Sequence, residues 1–107
     1  MKILLDESID VQFRTRIVRH DAFTVAYMGW KGLSNGALLA RAASDGFEAM
    51  ITADKAMPQQ QNPATLPLSL VVMHPIVNNL KELDLLVPNL LKALNHLPPK
   101  AIVHVVP

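Results

Sequence analysis

The stretch KILLDES, residues 2–8, decides the fold of this chain. Its first four residues form a short apolar run, which two acidic residues end at once. An apolar run of this length without polar alternation is typical of a β-strand that is buried on both faces. Strands of that kind occur in parallel sheets between two layers of helices. The start of the chain therefore predicts an α/β protein.

An amphipathic helix and a second strand are predicted next. Ser8 offers a helix N-cap, and Ile9, Phe13 and Ile17 recur every four residues. This spacing predicts a helix of about three turns with one apolar face. Residues 23–27 (FTVAY) are rich in β-forming side chains and predict the second strand.

The middle of the chain predicts one more helix and one more strand. Ser34 is the candidate N-cap of this helix, and Leu38 and Leu39 belong to its apolar stripe. Gly46 stands where a left-handed C-terminal cap is expected. Residues 48–51 (EAMI) then predict the third strand.

The last third of the chain again alternates strands with helical segments. Residues 68–73 (LSLVVM) predict a fourth strand, and 101–106 (AIVHVV) a last one. Between them, leucine and valine recur at helical spacing over 79–97. Pro88 interrupts this pattern, so we expect a kinked helix or two helices in line, with Pro88 at the start of the second.

The resulting order is β-α-β-α-β-loop-β-α-β. It predicts one domain over residues 1–107, a three-layer α/β/α sandwich with a mostly parallel sheet. The crossovers between parallel strands are expected to be right-handed. In such sheets, ligands bind beyond the carboxyl ends of the strands, so the residues that follow each strand are the candidates for function.

The composition excludes several classes of protein. Ten basic and nine acidic residues among 107 give a net charge of +1, which argues against a protein that coats a polyanion. The chain contains no cysteine. Disulfides, thiolate metal sites and cysteine nucleophiles are therefore excluded.

The apolar content of the chain predicts a partner. Half of the residues are hydrophobic and only 18% are charged, which is apolar for a small soluble monomer. We expect a homo-oligomer or a protein partner. No apolar stretch approaches the ~20 residues that cross a bilayer, and the first residues lack the features of a signal peptide. We therefore expect no membrane contact and a cytoplasmic location.

Acidic residues follow two of the predicted strands. Asp6 and Glu7 end the first strand, and Asp54 follows the third, two residues after Thr52. If these strands are parallel neighbours, the carboxylates meet at one edge of the sheet. Carboxylate oxygens are ligands for Mg²⁺ or Mn²⁺, and such an ion can support phosphodiester hydrolysis. In the alternative interpretation, the two aspartates only cap the segments that follow them.

Several stretches together resemble a family of small PIN-like domains. This family is distantly related to the VapC-type toxin ribonucleases, and its members are often encoded beside a small antitoxin-like protein. The resemblance covers nearly the whole chain, and it is carried by MKILLDES (1–8), MGWKGLSNGALLARAASDGFEAMITADK (28–55), QQN (60–62), LSLVVM (68–73) and LVPNLLKAL (86–94).

The resemblance implies a fold, an activity and a site. The fold is an α/β/α sandwich, and the activity is divalent-metal-dependent hydrolysis of RNA of the toxin–antitoxin type. Asp6 and Asp54 match the acids that hold the metal, and Glu7 is a further ligand or a base that orients water. Thr52 is the hydroxyl partner of Asp54. RNA is then the substrate, with a small antitoxin protein and a second copy of the chain as partners.

The sequence departs from the family pattern at two acidic positions. Ala37 stands where an acid often begins the second helix, and Ala56 stands where a further acid follows Asp54. The three remaining carboxylates could hold one Mg²⁺ with several waters, but a two-metal site would lack ligands. Lys55 weakens cation binding by repulsion. The alternative function is a binding module that keeps the PIN-like scaffold and acts through a protein partner.

Substrate-binding residues are predicted close to these acids. Lys55 could bind a phosphate, and the amides of Gln60, Gln61 and Asn62 match the QQN stretch of the family. Amide side chains can contact a base edge or a phosphate. In the alternative interpretation, these three residues form a polar loop.

Other features carry weaker predictions. The four histidines show no short paired spacing, so a zinc site is not expected, and His74 is interpreted as a hydrogen-bonded residue at a strand end. Trp30 is assigned to the core or an interface. Arg14, Arg16 and Arg19 could contact phosphates, although a solvated helix face is the commoner meaning of such charges. A third functional alternative is a receiver-like domain with Asp54 as phosphoacceptor, although no lysine follows a late strand.

Overall fold

The sheet has five strands, all parallel, in the computed structural model, which describes residues 1–107. Their order across the sheet is β2-β1-β3-β4-β5. The predicted parallel α/β architecture is confirmed. The strands are β1 (Lys2–Leu5), β2 (Asp21–Thr24), β3 (Ala49–Thr52), β4 (Ser69–Met73) and β5 (Ile102–Val105).

Helices cover both faces of this sheet. The α-helices are α1 (Val25–Met28), α2 (Asn35–Ser44), α3 (Leu80–Leu85) and α4 (Val87–Asn95). Three short 3₁₀ helices span Val11–Arg16, Pro58–Gln60 and Pro63–Thr65. None of the helices has the length and apolarity that crossing a bilayer requires.

Two hydrophobic cores form because side chains alternate across each strand. Ile3 and Leu5 of β1 point to one face, and Leu4 points to the other. The first core also contains Phe13 of the 3₁₀ helix and the leucines Leu83, Leu86, Leu90 and Leu94 of the α3–α4 segment. The second contains Val25, Trp30, Leu38, Leu39, Ala42, Phe47, Met50, Met57, Leu66, Leu68, Leu70 and Val72. The result is the predicted three-layer sandwich.

The helix that was predicted to begin at Ser8 is shorter and begins later. Asp10 is the N-cap, because its carboxylate accepts a hydrogen bond of 2.9 Å from the Gln12 amide. The segment Val11–Arg16 is a 3₁₀ helix and not an α-helix of about three turns. Ser8 does not cap it, since its hydroxyl accepts a 2.9 Å hydrogen bond from the Ala53 amide.

The second strand was predicted over 23–27, but it is shorter and begins earlier, at Asp21. It ends at Thr24, and α1 follows at once. The Thr24 hydroxyl accepts a 3.1 Å hydrogen bond from the Tyr27 amide, and Gly29 closes the turn at a φ of 74°. A capping hydroxyl before this segment and a left-handed glycine after it outweigh the β-propensity of the residues between them.

Three local predictions are confirmed. The Ser34 hydroxyl accepts a hydrogen bond of 3.3 Å from the Ala37 amide and caps α2. Gly46 has a φ of 89° directly after this helix. Pro88 lies in the first turn of α4, which follows α3 with one residue between them.

The last two crossovers differ from each other in hand. Strands β3, β4 and β5 lie side by side in that order. The β3–β4 connection packs with the core of Leu4, whereas α3 and α4, which connect β4 to β5, pack with the core of Ile3. Two connections that advance in the same direction on opposite faces have opposite hands. The prediction that all crossovers are right-handed is therefore wrong for one of these two.

Candidate functional site

The carboxyl ends of β1 and β3 form the switch point of this sheet. The two strands are neighbours, and the connections that follow them lie on opposite faces. Phe13 follows β1 in one core, and Met57 follows β3 in the other. Such a divergence opens a crevice at the carboxyl edge, where open α/β sheets bind their ligands.

Asp6 lies at the base of this crevice. Its backbone amide donates a 3.1 Å hydrogen bond to the Ile51 carbonyl, which extends the β1–β3 pairing by one residue. The side chain is buried, and both carboxylate oxygens accept internal hydrogen bonds. The Ser8 amide donates to Oδ1, and the Thr52 hydroxyl donates to Oδ2. The position of the Asp6 carboxylate is therefore set by two protein donors.

Thr52 and Ser8 link the two strand ends. Thr52 Oγ1 accepts a 3.0 Å hydrogen bond from the Asp54 amide and lies 3.3 Å from the Ser8 hydroxyl oxygen. Asn78 adds a hydrogen bond of 2.8 Å from its side-chain amide to the Ser8 carbonyl. The sequence predicted Thr52 as the partner of Asp54, and the structure adds its bond to Asp6. The role of Ser8 was missed, because its hydroxyl bonds to the Ala53 amide 45 positions away and no local signal indicates that partner.

All three predicted carboxylates line one cavity of about 200 Å³. Asp54 is half-buried and its Oδ1 accepts a 2.9 Å hydrogen bond from the Ala56 amide. Glu7 is exposed. The other lining residues are Ser8, Trp30, Leu33, Asn35, Leu38 and Met57. The cavity thus combines an acidic floor at the strand ends with apolar walls.

No protein-family model, curated protein or solved structure matches this chain. The PIN-like resemblance therefore stays a prediction. What is known of the site comes from its own geometry.

The donor set at this site is small for a metal centre. No group of three or more His, Cys, Asp or Glu side chains is close enough to hold an ion together. Mg²⁺, however, is commonly held by one or two carboxylates, with water completing its octahedron. Asp6 and Asp54 are two oxygen donors of that kind, and both oxygens of Asp6 already accept protein hydrogen bonds. They do not fit a two-metal centre, since Ala37 and Ala56 bring no further carboxylate.

The predicted substrate-binding residues are only partly brought together. Gln60 accepts a 2.9 Å hydrogen bond from the Asn35 side chain, which lines the acidic cavity. The side chain of Asn62 instead accepts a 3.0 Å hydrogen bond from the Ala64 amide and caps a 3₁₀ helix. Gln61 is half-buried, and Lys55 is exposed. Of the QQN stretch, only Gln60 is tied to a residue of the cavity.

Two histidines meet farther along the same edge. His74 Nε2 and His104 Nδ1 are 2.8 Å apart, which confirms that His74 is a hydrogen-bonded residue at a strand end. Burial of the His74 ring lowers its pKa, and the neighbouring His104 and Lys55 lower it further by smaller amounts. The pairing was missed because the two residues are 30 positions apart in the chain.

The remaining candidates have structural contacts. Trp30 is buried and packs edge-on against Phe47, with ring centroids 5.7 Å apart. Arg16 is paired with Asp84 at 3.0 Å. Arg14 lines a separate cavity of about 500 Å³ between the first 3₁₀ helix and β2. Trp30 therefore belongs to the core, and neither arginine lines the acidic cavity.

Proposed function

We propose that this protein is a divalent-metal-dependent ribonuclease of toxin–antitoxin type. The observation that carries the proposal is the convergence of Asp6, Glu7 and Asp54 on one cavity at the switch point of the sheet. RNA is named as the substrate because of the resemblance to PIN-like domains.

The residues of the chain have separate roles in this proposal. Asp6 and Asp54 would hold the cation, which would stabilise charge at the phosphate and activate water. Thr52 and the Ser8 amide orient the Asp6 carboxylate through their hydrogen bonds. Glu7 lines the cavity and is exposed, so it can accept a proton from the attacking water.

Lys55 and Gln60 are proposed to contact the RNA. Lys55 is exposed next to Asp54, where its ammonium group can pair with a phosphate of the backbone. Gln60 is placed by its hydrogen bond to Asn35, so its side-chain amide nitrogen is available for a base edge or a phosphate.

A small antitoxin protein and a second copy of the chain are the proposed partners. Large hydrophobic side chains stand exposed on the surface, among them Ile76, Leu85 and Val106. Ile76 and Leu85 line the same surface cavity, and a contiguous exposed apolar patch marks an interaction site, whereas single exposed apolar residues do not. Light scattering over a concentration series tests self-association, for which the mass expected of a dimer is twice 11.8 kDa.

Cleavage of a labelled single-stranded RNA tests the activity. Purified protein is assayed with Mg²⁺, with Mn²⁺ and with a chelator. Asp6→Asn and Asp54→Asn should each lower the metal-dependent rate by more than about tenfold. Asp21→Asn is the matched control, since Asp21 is an exposed aspartate at the opposite edge of the sheet. Equal rates in the wild type and Asp6→Asn would rule out the carboxylate account.

The second candidate function is a binding module that uses the same scaffold. It is favoured by two observations. Both oxygens of Asp6 are already hydrogen-bonded, and no three-ligand group exists. A module of this kind should bind neither Mg²⁺ nor Mn²⁺ in a calorimetric titration and should cleave no RNA. Metal binding that Asp6→Asn abolishes would exclude it.

The receiver-like alternative is favoured by strand order alone. The order β2-β1-β3-β4-β5 is one of the two common doubly wound orders, the one found in receiver domains. However, the position directly after β5 holds Val106 and not a lysine. Incubation with a small phosphodonor and intact-mass measurement tests this alternative. A phosphate adduct that Asp54→Asn removes would favour it over the nuclease.

A further inference from the structure

His74 and His104 form a pair whose position is set by the sheet. Their strands are adjacent and parallel, with Met73 opposite Val105. The His74 amide donates a 2.9 Å hydrogen bond to the Val105 carbonyl, so the backbone pairing continues through His74. The two rings lie at 45° with centroids 5.0 Å apart. The nitrogens that face each other are therefore held close together by backbone contacts on both strands.

The spacing of these nitrogens is that of a hydrogen bond, and it is also close to the spacing of two ligands on one ion. A metal–imidazole bond is about 2.0–2.1 Å long. Two such bonds at a right angle place the nitrogens about 2.9 Å apart, whereas a tetrahedral angle separates them by about 3.3 Å. The observed separation of 2.8 Å between His74 Nε2 and His104 Nδ1 matches the right angle. Right angles between neighbouring ligands are typical of tetragonal Cu²⁺ or Ni²⁺ rather than of tetrahedral Zn²⁺.

We propose that His74 and His104 bind one Cu²⁺ ion through Nε2 and Nδ1, with water in the remaining positions. One of the two nitrogens carries the proton of their hydrogen bond, so ion binding moves that proton to the other nitrogen of the same ring or releases it to water. Each ring must also turn by about 45° to direct its lone pair toward a shared ion. His104 is exposed and His74 is half-buried, so an ion and its waters can reach both nitrogens. Cu²⁺ is chosen over Ni²⁺ because imidazole sites bind it more tightly.

The surrounding charges set the expected strength of this site. No third histidine or carboxylate is close enough to add a ligand. The positive charge of Lys55 acts on His74 and opposes a bound cation. We therefore expect a site that depends on both histidines and becomes stronger when Lys55 is replaced. The pair does not line the acidic cavity of Asp6 and Asp54, so this inference does not rest on the proposed nuclease activity.

Calorimetric titration of the full chain with Cu²⁺, with electron paramagnetic resonance of the product, tests the proposal. We expect one ion per chain and a spectrum with coupling to two imidazole nitrogens. His74→Ala and His104→Ala should each weaken binding by at least about tenfold, and Lys55→Ala should strengthen it. His96→Ala is the matched control, because His96 is an exposed histidine at the end of α4. It should bind like the wild type.

Circular dichroism of each variant shows whether the fold is retained, and both substituted side chains are at least partly exposed. Binding that persists in both histidine variants, as expected for an ion at the N-terminal amine, overturns the proposal. A wild-type spectrum with coupling to only one nitrogen also overturns it. Loss of binding in both variants with an unchanged control supports it.

Discussion

The Thr52 hydroxyl donates a hydrogen bond to the Asp6 carboxylate across 46 positions of the chain. This contact joins the residue that ends β3 to the residue that follows β1. Both side chains are buried, so neither group has free access to water as a replacement partner. The bond therefore couples the geometry of the candidate site to the stability of the sheet.

Thr52→Val removes this hydroxyl while keeping the shape of the side chain. The substitution leaves Asp6 Oδ2 and the Asp54 amide without their partner. We expect the free energy of unfolding to fall by about 1–3 kcal/mol, measured by urea denaturation. Thr65→Val is the control, because Thr65 is exposed, and it should change stability by less than about 0.5 kcal/mol. Equal stability of the two variants would contradict the assigned bond.

The loss of stability on replacing a leucine of α3 or α4 with alanine should depend on how deeply that leucine is buried. Leu90 is fully buried in the first core, whereas Leu85 is 68% exposed. Leu90→Ala should lower the free energy of unfolding by about 2–5 kcal/mol through lost burial and the cavity left behind. Leu85→Ala should change it by less than about 0.5 kcal/mol. Thermal unfolding of both variants checks this, and similar losses would mean that the helix faces are wrongly assigned.

Two glycines should respond to alanine in opposite directions. Gly46 has a φ of 89°, and Gly36 lies in α2 with an ordinary helical backbone; an added Cβ meets nothing within 4 Å at either position. Gly46→Ala should therefore cost about 1–2 kcal/mol from backbone strain alone. Gly36→Ala should stabilise by about 0.5–1 kcal/mol. Chemical denaturation measures both, and a stabilising Gly46→Ala would refute the left-handed cap.

His20 should make stability fall in mild acid. Its Nδ1 is buried without a hydrogen-bond partner. Burial, and then the charge of the N-terminal amine, lower its pKa from 6.5, although Asp21 and Glu48 oppose the shift. The unfolded chain therefore binds a proton first as the pH falls. Stability is retained above the unfolded pKa and is lost as the pH falls from 6.5 toward the lower folded value.

Replacement of His20 isolates this effect. His20→Gln should flatten the decline in unfolding free energy between about pH 7 and about pH 5.5. His96→Gln serves as the control, since His96 is exposed, and its pH profile should follow that of the wild type. A decline of the same steepness in His20→Gln would show that other groups cause it.

Much of the fold was predictable because its signals are local. Short apolar runs at 2–5 and 68–73 mark buried strands, and the caps Ser34 and Gly46 bound α2 as predicted. One prediction failed where two local signals competed. Val25–Met28 has β-forming side chains, but the hydroxyl of Thr24 and the left-handed Gly29 make it a helix.

The candidate site was predictable in its acids but not in its connections. Asp6 and Asp54 could be located because each follows an apolar run, and parallel strands end at a common edge. The hydrogen bonds of Ser8 to Ala53 and of Gln60 to Asn35 were not predictable. Nothing near these residues in the chain indicates a partner 25 or 45 positions away.

The sequence by itself determined the alternation of strands and helices, the burial of both sheet faces and the acidic residues at two strand ends. These features follow from the spacing of apolar side chains and from short-range capping, which act within one or two turns. Only the tertiary structure decided that β1 and β3 are neighbours, that Thr52 orients Asp6 and that His74 meets His104. Those contacts depend on strand order and register, which are set by how all five strands and both helical layers pack together.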